Sequence, residues 1–422
     1  MAQPSDSPAT PVPAAAKESP SSHWLEIISV FSKLGVSSFG GPVAHLGYFR
    51  AEVVVKRRWL DDHAYADLVA LCQLLPGPAS SQTAFGLGLR RGGFIGAVLA
   101  SFCFTMPSAL LMIAFAYAVN SGGTYLQQGW IHGLKLAAVA VVAQALRGMS
   151  TKLCPDRPRF LLALCAAATL TAFPDALLQL TLIAAGGLLG WLWYRNQFIA
   201  NPFQAPTHSH ASPSARRAGL AALLIYFTLL ALSPLAAAQS GNRQLEEFDA
   251  FYRPGALVFG GGHVILPLLR AEIVPRGWLS DSQFLAGYGA AQALPGPLNT
   301  ISAYVGTAMH CGTQPGQAWL EGLWCLVALF LPGWLVIGAA LPFWETLKTK
   351  SWTRAALQGA NAAVVGVLLA ALYNPVLKQS VHSAPDALAA IFGFALLEVW
   401  KTPPLVVVLG LAAAGQWVLP VL

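Results

Sequence analysis

The sequence predicts an all-α polytopic membrane protein made of two homologous repeats in inverted topology, with about 10 to 13 membrane segments. The first observation is composition: 55% of the 422 residues are apolar and 10% are charged, whereas soluble domains carry about 25% charged residues. The second is a series of apolar runs, each close to the ~20 residues that cross a bilayer as a helix. The third is that the same motifs occur in both halves of the chain.

Apolar runs recur along the whole chain and exclude both a single signal anchor and a large soluble core. Examples are residues 94–119, 126–146, 176–194 and 220–237. The chain also has 39 glycines and 29 prolines. Membrane helices tolerate these residues because neighbouring helices and ordered water re-satisfy the freed backbone groups. Helical spans are therefore expected throughout.

The formal net charge of +7 predicts membrane topology rather than binding to nucleic acid, because Lys and Arg fall in short clusters between apolar runs. The six cysteines are scattered and have no CxxC spacing. Neither a disulfide framework nor a metal site is predicted, and no cofactor is expected.

Changes in composition divide the chain into five parts. Residues 1–22 lack the apolar region of a signal peptide and are predicted to be a disordered cytoplasmic tail. The other parts are a first repeat at 23–194, a polar cytoplasmic linker at 195–217, a connecting transmembrane segment at 218–247 and a second repeat at 248–422.

Three motifs occur in the same order in each repeat. The first copy reads Phe39-Gly40-Gly41-Pro42, Arg50-Ala51-Glu52 and Pro76-Gly77-Pro78, and the second reads Phe259-Gly260-Gly261-Gly262, Arg270-Ala271-Glu272 and Pro295-Gly296-Pro297. The first two motifs are related by a constant step of 220 residues, and one residue is deleted before the third. So many ordered matches indicate an internal duplication.

The distribution of Lys and Arg predicts that the second repeat is inverted. The loop at 120–128 carries no charge, whereas its counterpart carries Lys348, Lys350 and Arg354, so the two loops prefer opposite sides of the membrane. A single crossing between the repeats produces this inversion. If the Phe-Gly-Gly segment spans the membrane fully, the basic segment around Arg50 lies outside, against the positive-inside rule. A re-entrant Phe-Gly-Gly or Pro-Gly-Pro segment resolves this conflict.

The Pro-Gly-Pro motif interrupts an apolar segment in each repeat and must break its helix. Such breaks at membrane depth are tolerated where they line a cavity, so both are candidate substrate sites. The free amides of a new half-helix and the polar side chains that follow favour an anion. The candidate substrate-binding residues here are Pro76, Gly77, Pro78, Ser80 and Ser81, with Pro295, Gly296, Pro297, Asn299 and Thr300. A kink that serves packing alone is the alternative.

Paired glycines and repeated charges add further candidates. Gly40, Gly41, Gly260 and Gly261 permit close backbone approach, either at a shared site or in helix packing. Arg50 and Arg270 present a planar fork of donors suited to oxyanions. Glu52, Glu272, His45 and His263 are candidates for coupling to protons. Topology-setting charges and packing histidines are the alternatives.

On these motifs, and on Gln73-Leu74-Leu75 before the first Pro-Gly-Pro, the sequence resembles the chromate ion transporter family of the long, two-domain type over almost the whole chain. The resemblance implies efflux of chromate across the bacterial inner membrane, driven by the proton gradient or the membrane potential. It implies chromate resistance, with sulfate as a competitor. The second copy departs from the pattern at Gly262 and lacks equivalents of Arg90 and Arg91, so the halves need not contribute equally.

The alternatives from the residues themselves are a sulfate or other oxyanion permease, a channel and an intramembrane enzyme. An enzyme needs an acid, base or metal cluster at membrane depth, and the sequence shows none, so a non-enzyme is predicted. Membrane lipid is an expected partner and nucleic acid is not. A homodimer is left open.

Overall fold

The computed structural model describes residues 20–39, 41–121, 129–173, 176–194, 212–258, 264–344 and 351–417, and within these ranges the chain is helical with no strand. The helices are α1 Pro20–Ser37, α2 Gly41–Phe49, α3 Asp62–Leu74, α4 Ala79–Ser121, α5 Gly129–Leu153, α6 Arg157–Ala172, α7 Ala176–Tyr194, α8 Pro213–Ser240, α9 Arg243–Leu257, α10 Ile265–Ile273, α11 Asp281–Ala293, α12 Ile301–His310, α13 Ala318–Ala340, α14 Ser351–Ala371, α15 Ala384–Glu398 and α16 Pro404–Trp417. Short π-helical or 3-10 segments lie at Arg50–Lys56, Leu298–Thr300, Leu341–Phe343 and Leu372–Leu377.

Several sequence predictions fall outside the described residues. These are residues 1–19 of the predicted tail and 195–211 of the predicted linker, together with Gly40, Gly260, Gly261 and His263. The helix α8 runs from Pro213 to Ser240, within and before the predicted connecting segment, and the Ser212 side chain caps it by accepting a hydrogen bond from Ala215 N.

The prediction of a multi-pass membrane protein is confirmed. Five helical segments in the described ranges are long and apolar enough to cross a membrane, namely Ala79–Asn120, Gly129–Leu153, Pro213–Ser240, Ala318–Phe343 and Ala355–Ser380. Shorter apolar helices run over Leu178–Tyr194 and Pro404–Trp417. α8 is 28 residues long, about 42 Å at the helical rise, which is enough for one crossing.

The longest helix, α4, is two helices that fold back on each other. Gly92 and Gly93 have non-helical backbone angles, and φ of Gly93 is +65°. Gly88 and Gly96 lie equally far from this bend, and a Cβ atom on either would meet the backbone oxygen of the other. Residues 79–91 are therefore a first leg and 94–121 a second leg.

The first leg of α4 also folds back on α3, with Pro-Gly-Pro as the tip of the hairpin. Gly86 lies against the Leu68 side chain, and these residues are equally far from the tip. In the second half, Gly287 of α11 lies against the Tyr304 ring of α12 in the same way. α3 and α11 have 13 residues each, about 20 Å, which is short of the ~30 Å hydrocarbon core. This geometry favours the re-entrant interpretation of the Pro-Gly-Pro segments.

The two halves exchange their last helices. α15 and α16 of the second half pack on α5 of the first, while α6 and α7 of the first half pack on α14 of the second. Small residues make both crossings: Gly133 meets Gly415, and Gly359 meets Gly190. Such reciprocal packing, with α8 as the one connecting helix, is the arrangement expected of an inverted repeat.

A second pair of glycines fixes the helix before each Phe-Gly-Gly motif. Gly35 of α1 approaches the backbone oxygens of Cys103 and Phe104 and the ring of Pro107. Gly255 of α9 approaches Leu329 O and the Pro332 ring in the same way. Each proline removes a backbone donor from its helix, and only a residue without a side chain fits against the carbonyl groups beside it. The repeat therefore extends to contacts that the motifs alone do not show.

Candidate functional site

Each Pro-Gly-Pro tip is hydrogen-bonded to the opposite half of the chain. Gly77 N donates a hydrogen bond to Val258 O at 2.7 Å, and Gly296 N donates to Ser38 O at 2.9 Å. Val258 and Ser38 each stand directly before a Phe-Gly-Gly motif. Each tip is thus hydrogen-bonded to the end of the helix that precedes the Phe-Gly-Gly motif of the opposite half.

Positive φ angles explain the glycine in each tip. φ is +122° at Gly77 and +90° at Gly296, and these angles are strained for residues with a side chain. A Cβ on Gly77 would also meet Gln82 and Gly333, and one on Gly296 would meet the Ser108 side chain. The tips therefore require glycine for both conformation and space.

The first tip is lined by buried polar side chains. Gln82 Nε2 donates to Pro76 O at 2.7 Å and to Gly333 O at 3.3 Å, which fixes the side chain across the break. The first helical hydrogen bond runs from Gln82 N to Pro78 O, so the amides of residues 79–81 precede the helical ladder. Ser80 and Ser81 are buried. Within the described residues, Ser81 Oγ and Gln82 Oε1 have no hydrogen-bond partner.

The second tip is tighter. Thr300 donates from both its amide and its hydroxyl to Pro297 O, at 3.1 and 2.9 Å, and residues 298–300 form a 3-10 turn. Asn299 is 1% exposed, and its Nδ2 donor has no partner in the part of the chain that the structure describes. The amide group of Asn299 is thus a buried donor available to a ligand.

His45 lies beside the second tip. Its ring packs edge-on to Phe104 with centroids 5.5 Å apart, and Phe104 O lies next to Gly296. His45 is buried, and although its ring approaches the Ser38 backbone, neither nitrogen has a partner with hydrogen-bonding geometry among the described residues. The same holds for Ser38 Oγ.

These unpartnered atoms form a constellation around the two tips. An unsatisfied buried polar group costs about 1–3 kcal/mol, so native proteins keep few of them without a ligand or water. Around the tips they include Ser38 Oγ, both His45 nitrogens, Ser81 Oγ, Gln82 Oε1 and Asn299 Nδ2. The hydroxyls, the Asn299 amide nitrogen and the imidazole can donate to an oxyanion, whereas Gln82 Oε1 is an acceptor.

The two candidate arginines are each paired with an aspartate of the next helix. Arg50 Nε lies 2.7 Å from Asp62 Oδ1, and Arg270 lies 2.6 and 2.9 Å from the two oxygens of Asp281. Asp62 and Asp281 are repeat equivalents. The Arg50 side chain is 52% exposed and that of Arg270 is 26% exposed. The structure does not place either guanidinium among the residues that contact the tips.

The candidate acids Glu52 and Glu272 are also paired with matched cations. Glu52 accepts from Lys33 at 2.8 Å, and Glu272 lies 3.2 Å from Arg253, the residue at the position equivalent to Lys33. Burial alone raises the pKa of Glu52, but hydrogen bonds from Lys33 and Arg57 outweigh it and lower that pKa to about 2. Glu52 is therefore ionised at neutral pH. Sequence reasoning missed Lys33 and Arg253, although the 220-residue step relates them.

Arg270 also lines a cavity of about 350 Å³ between the halves. Thr171, Gln179 and Asn374 contribute polar groups to this cavity. Gln179 is buried and its Nε2 donor lacks a partner within the described ranges. These residues carry no repeated motif, so sequence reasoning did not find them.

Together these observations describe a multi-pass helical membrane protein with duplicated halves and a buried polar site at two helix breaks. The Chromate transporter family model matches residues 25–191 and 245–416, one match in each half. The chain belongs to the chromate transporter family, as the motifs predicted.

Relatives of similar length support this assignment. The chain is 29% identical over 412 residues to the chromate transport protein of Pseudomonas aeruginosa, covering 95% of this chain and 94% of the relative. It is 27% identical over 427 residues to the chromate transport protein of Cupriavidus metallidurans, covering 98% of each. A probable chromate transport protein of Synechococcus elongatus is 26% identical over 412 residues, 93% of this chain and 95% of the relative. No solved structure matches the chain.

Proposed function

We propose that this protein is a secondary active transporter that exports chromate across the bacterial inner membrane and thereby confers chromate resistance. The observation that carries the proposal is the crossing of the two Pro-Gly-Pro tips, with unpartnered buried donors on both sides. Membership of the chromate transporter family and relatives named as chromate transport proteins support chromate as the substrate.

The tips provide a binding site for a tetrahedral dianion. The amides at the start of the first leg of α4, the Ser81 hydroxyl and the Asn299 amide are short, fixed donors that replace water around an oxyanion. We include Gly40, Gly41, Gly260 and Gly261 as the segments that let the backbone approach the anion. Arg50 and Arg270 attract the anion towards this site. Arg270 lines the cavity between the halves that was described above.

The membrane potential favours export. The bacterial cytoplasm is negative, and moving one charge through 100 mV is worth about 2.3 kcal/mol, so expelling a dianion gains about 4.6 kcal/mol per 100 mV. Either the potential or the proton gradient supplies the energy. Alternating access follows from rocking of one half against the other, with the glycines of the tips as the hinges.

An enzyme is disfavoured by the chemistry of the tips. Hydrolysis or group transfer needs a nucleophile with a base or a metal, whereas the described tip residues offer hydroxyls, amides and the single imidazole of His45. The relatives are also named as transport proteins. A sulfate permease is the second candidate, because sulfate has the same shape and charge.

Labelled chromate uptake by everted membrane vesicles tests the proposal. Vesicles with the protein accumulate chromate when energised, and excess sulfate reduces the accumulation. Ser81→Ala combined with Asn299→Ala lowers the flux about tenfold, since it removes two donors at about 0.5–1.5 kcal/mol each. Thr169→Ala is the matched control, because this exposed hydroxyl bonds only to Cys165 O in its own helix.

Two results contradict the proposal. Accumulation of sulfate without chromate makes the protein a sulfate permease. Chromate flux that is unchanged in the double variant removes the tips from the site.

A further inference from the structure

The two halves differ at one charge pair that joins equivalent helices. In the first half Arg91, at the end of the first leg of α4, donates to Glu26 of α1 at 2.8 Å. In the second half His310, at the end of α12, lies 3.0 Å from Glu247 of α9. The step that relates Pro76 to Pro295 also relates Arg91 to His310. A permanent cation is thus replaced by a titratable one.

Glu247 is a buried acid at a position where the first half has an apolar residue. Its repeat equivalent is Ile27, and both residues are 0% exposed. Glu247 Oε1 accepts from Arg243 at 2.6 Å, whereas Glu247 Oε2 has no hydrogen-bond partner in the described parts of the chain. A buried carboxylate in the place of isoleucine is costly unless it has a role.

A third acid completes the group. One side-chain nitrogen or oxygen atom from each of Glu247, His310 and Glu321 lies within 4.8 Å of the corresponding atoms of the other two. Glu321 is in the first turn of α13, so the group joins α9, α12 and α13. The thiol of Cys325 lies close enough to interact with Glu247 and Glu321, and Arg243, which is bonded to Glu247, stacks on Trp278.

The charges of the group balance with one proton. Two glutamates and Arg243 leave a net charge of −1 when His310 is neutral. One proton on His310 brings the sum to zero, whereas a divalent cation makes it positive. Since buried charge is tolerated only when it is compensated, the balance favours a proton as the occupant.

We propose that His310, together with Glu247 and Glu321, is a proton-binding site that couples the second half to pH. This inference deepens the proposed transport function and rests on it only for the coupling step. Protonated His310 ties α12 to α9 through Glu247. Release of the proton weakens that tie at the end of the helix that begins at the second tip.

The environment of His310 supports this assignment. His310 lies outside the candidate membrane spans. The hydrogen bond that His310 Nε2 donates to Glu247 raises the pKa of His310, and it outweighs burial, which acts in the opposite direction. His310 therefore holds its proton more tightly than a free histidine and releases it as the pH rises.

The first experiment measures the site without transport. Purified full-length protein is titrated by NMR with labelled histidine, and its melting temperature is followed between pH 5 and pH 9. We expect His310 to titrate above the pKa of about 6.5 of a free histidine. The stability then falls as the pH rises from that value through the higher pKa of His310 in the folded protein. His310→Arg removes both effects, and Arg91→Lys, which keeps a permanent charge at the equivalent position, leaves them in place.

The second experiment measures coupling in proteoliposomes with the potential clamped at zero. Chromate flux in the natural protein rises about threefold or more with an imposed pH gradient, the order expected for one titrating group. His310→Arg loses this dependence, and in a separate assay with an imposed potential and no pH gradient its flux persists. Arg91→Lys again keeps the dependence.

Three outcomes overturn the inference. His310→Arg with an unchanged response to the pH gradient removes the site from coupling. A pKa of His310 below that of a free histidine shows that the group does not stabilise a bound proton. Tight binding of Zn²⁺ by the purified protein, lost in His310→Arg, replaces the proton by a metal ion. If the natural protein moves no chromate, the transport proposal fails, while the titration still decides whether His310 binds the proton.

Discussion

The first and second halves agree in their charged frame and differ in their polar lining. Glu52 is paired with lysines in the first half, and Glu272 is paired with arginines in the second half at the same positions of the repeat. Both candidate arginines are bound to equivalent aspartates. In both halves these ion pairs bind the segment between the Phe-Gly-Gly motif and the following hairpin to neighbouring helices.

The tips themselves have diverged. The first tip is crossed by the Gln82 side chain, whereas the equivalent residue in the second tip is the apolar Ile301. The first tip starts an α-helix directly, and the second passes through a 3-10 turn. The two tips therefore offer different polar groups, although they occupy equivalent positions of the repeat.

The largest effect is expected from the tip glycines. Gly77→Ala and Gly296→Ala each reduce chromate flux about tenfold or more, since positive φ angles cost about 1–3 kcal/mol with a side chain and the new Cβ meets neighbouring atoms. Flux per inserted protein is the measurement. Gly241→Ala is the control, because φ there is +60° but nothing lies within 4 Å of the new Cβ. Equal flux in all three variants would separate the tips from transport.

The next effect distinguishes the two arginines. Arg270→Ala lowers flux about tenfold, and Arg50→Ala about twofold, because Arg270 is half as exposed and lines the cavity between the halves. Initial rates at low chromate concentration give the comparison. Asp281→Asn checks that the effect is not loss of the ion pair alone, since it keeps the guanidinium in the cavity. A larger loss in Arg50→Ala would reverse the assignment.

A smaller effect concerns the exchange of the last helices. Gly133→Ala and Gly359→Ala each lower the free energy of unfolding by about 1–3 kcal/mol, because the added methyl group meets the backbone of α16 or α7. Thermal unfolding in detergent measures this loss. Gly148→Ala on α5 is the control, since nothing lies within 4 Å of its Cβ, and helix propensity makes that change neutral or stabilising. Unequal losses would show that one crossing carries more of the packing.

The sequence predicted the duplication, the helix breaks and the clustering of polar residues at the tips because local chemistry decides them. Two prolines that flank a glycine remove two backbone donors and stop a helix, so the breaks at Pro76 and Pro295 follow from the residues. The 220-residue step would also have paired Lys33 with Arg253. These features follow from residue types and from their order along the chain.

The remaining features depend on contacts that the sequence does not order. The bond from Gly77 N to Val258 O joins residues of opposite halves, and the partners of Arg50 and Arg270 are set by how α3 and α11 return. Apart from α10, which carries Arg270, the cavity is lined by α6, α7, α14 and the segment after α14, where the sequence shows no repeated motif. Its polar residue Gln179 was indistinguishable from a packing residue in the sequence.

The smallest effect concerns the acids of the charged frame and is seen at low pH. The pKa of Glu52 is lowered to about 2 from the ordinary value of 4.5, so its ion pairs stabilise the protein fully above pH 4.5 and the stability is lost as the pH falls towards 2. The exposed Lys33 and Lys56 side chains are screened by solvent, which reduces the contribution to about 1–2 kcal/mol.

Glu52→Gln is therefore expected to lower the melting temperature at pH 7 and to remove part of its fall between pH 5 and pH 3. Glu272→Gln is the matched variant in the second half, where the cations are arginines. The control is Glu246→Gln, an acid of α9 that is partly exposed, whereas Glu52 is buried. If chromate flux in Glu52→Gln lost its dependence on the pH gradient, Glu52 would be a proton carrier after all. We expect that dependence to remain, because a carboxylate with a pKa of about 2 stays ionised throughout the physiological range.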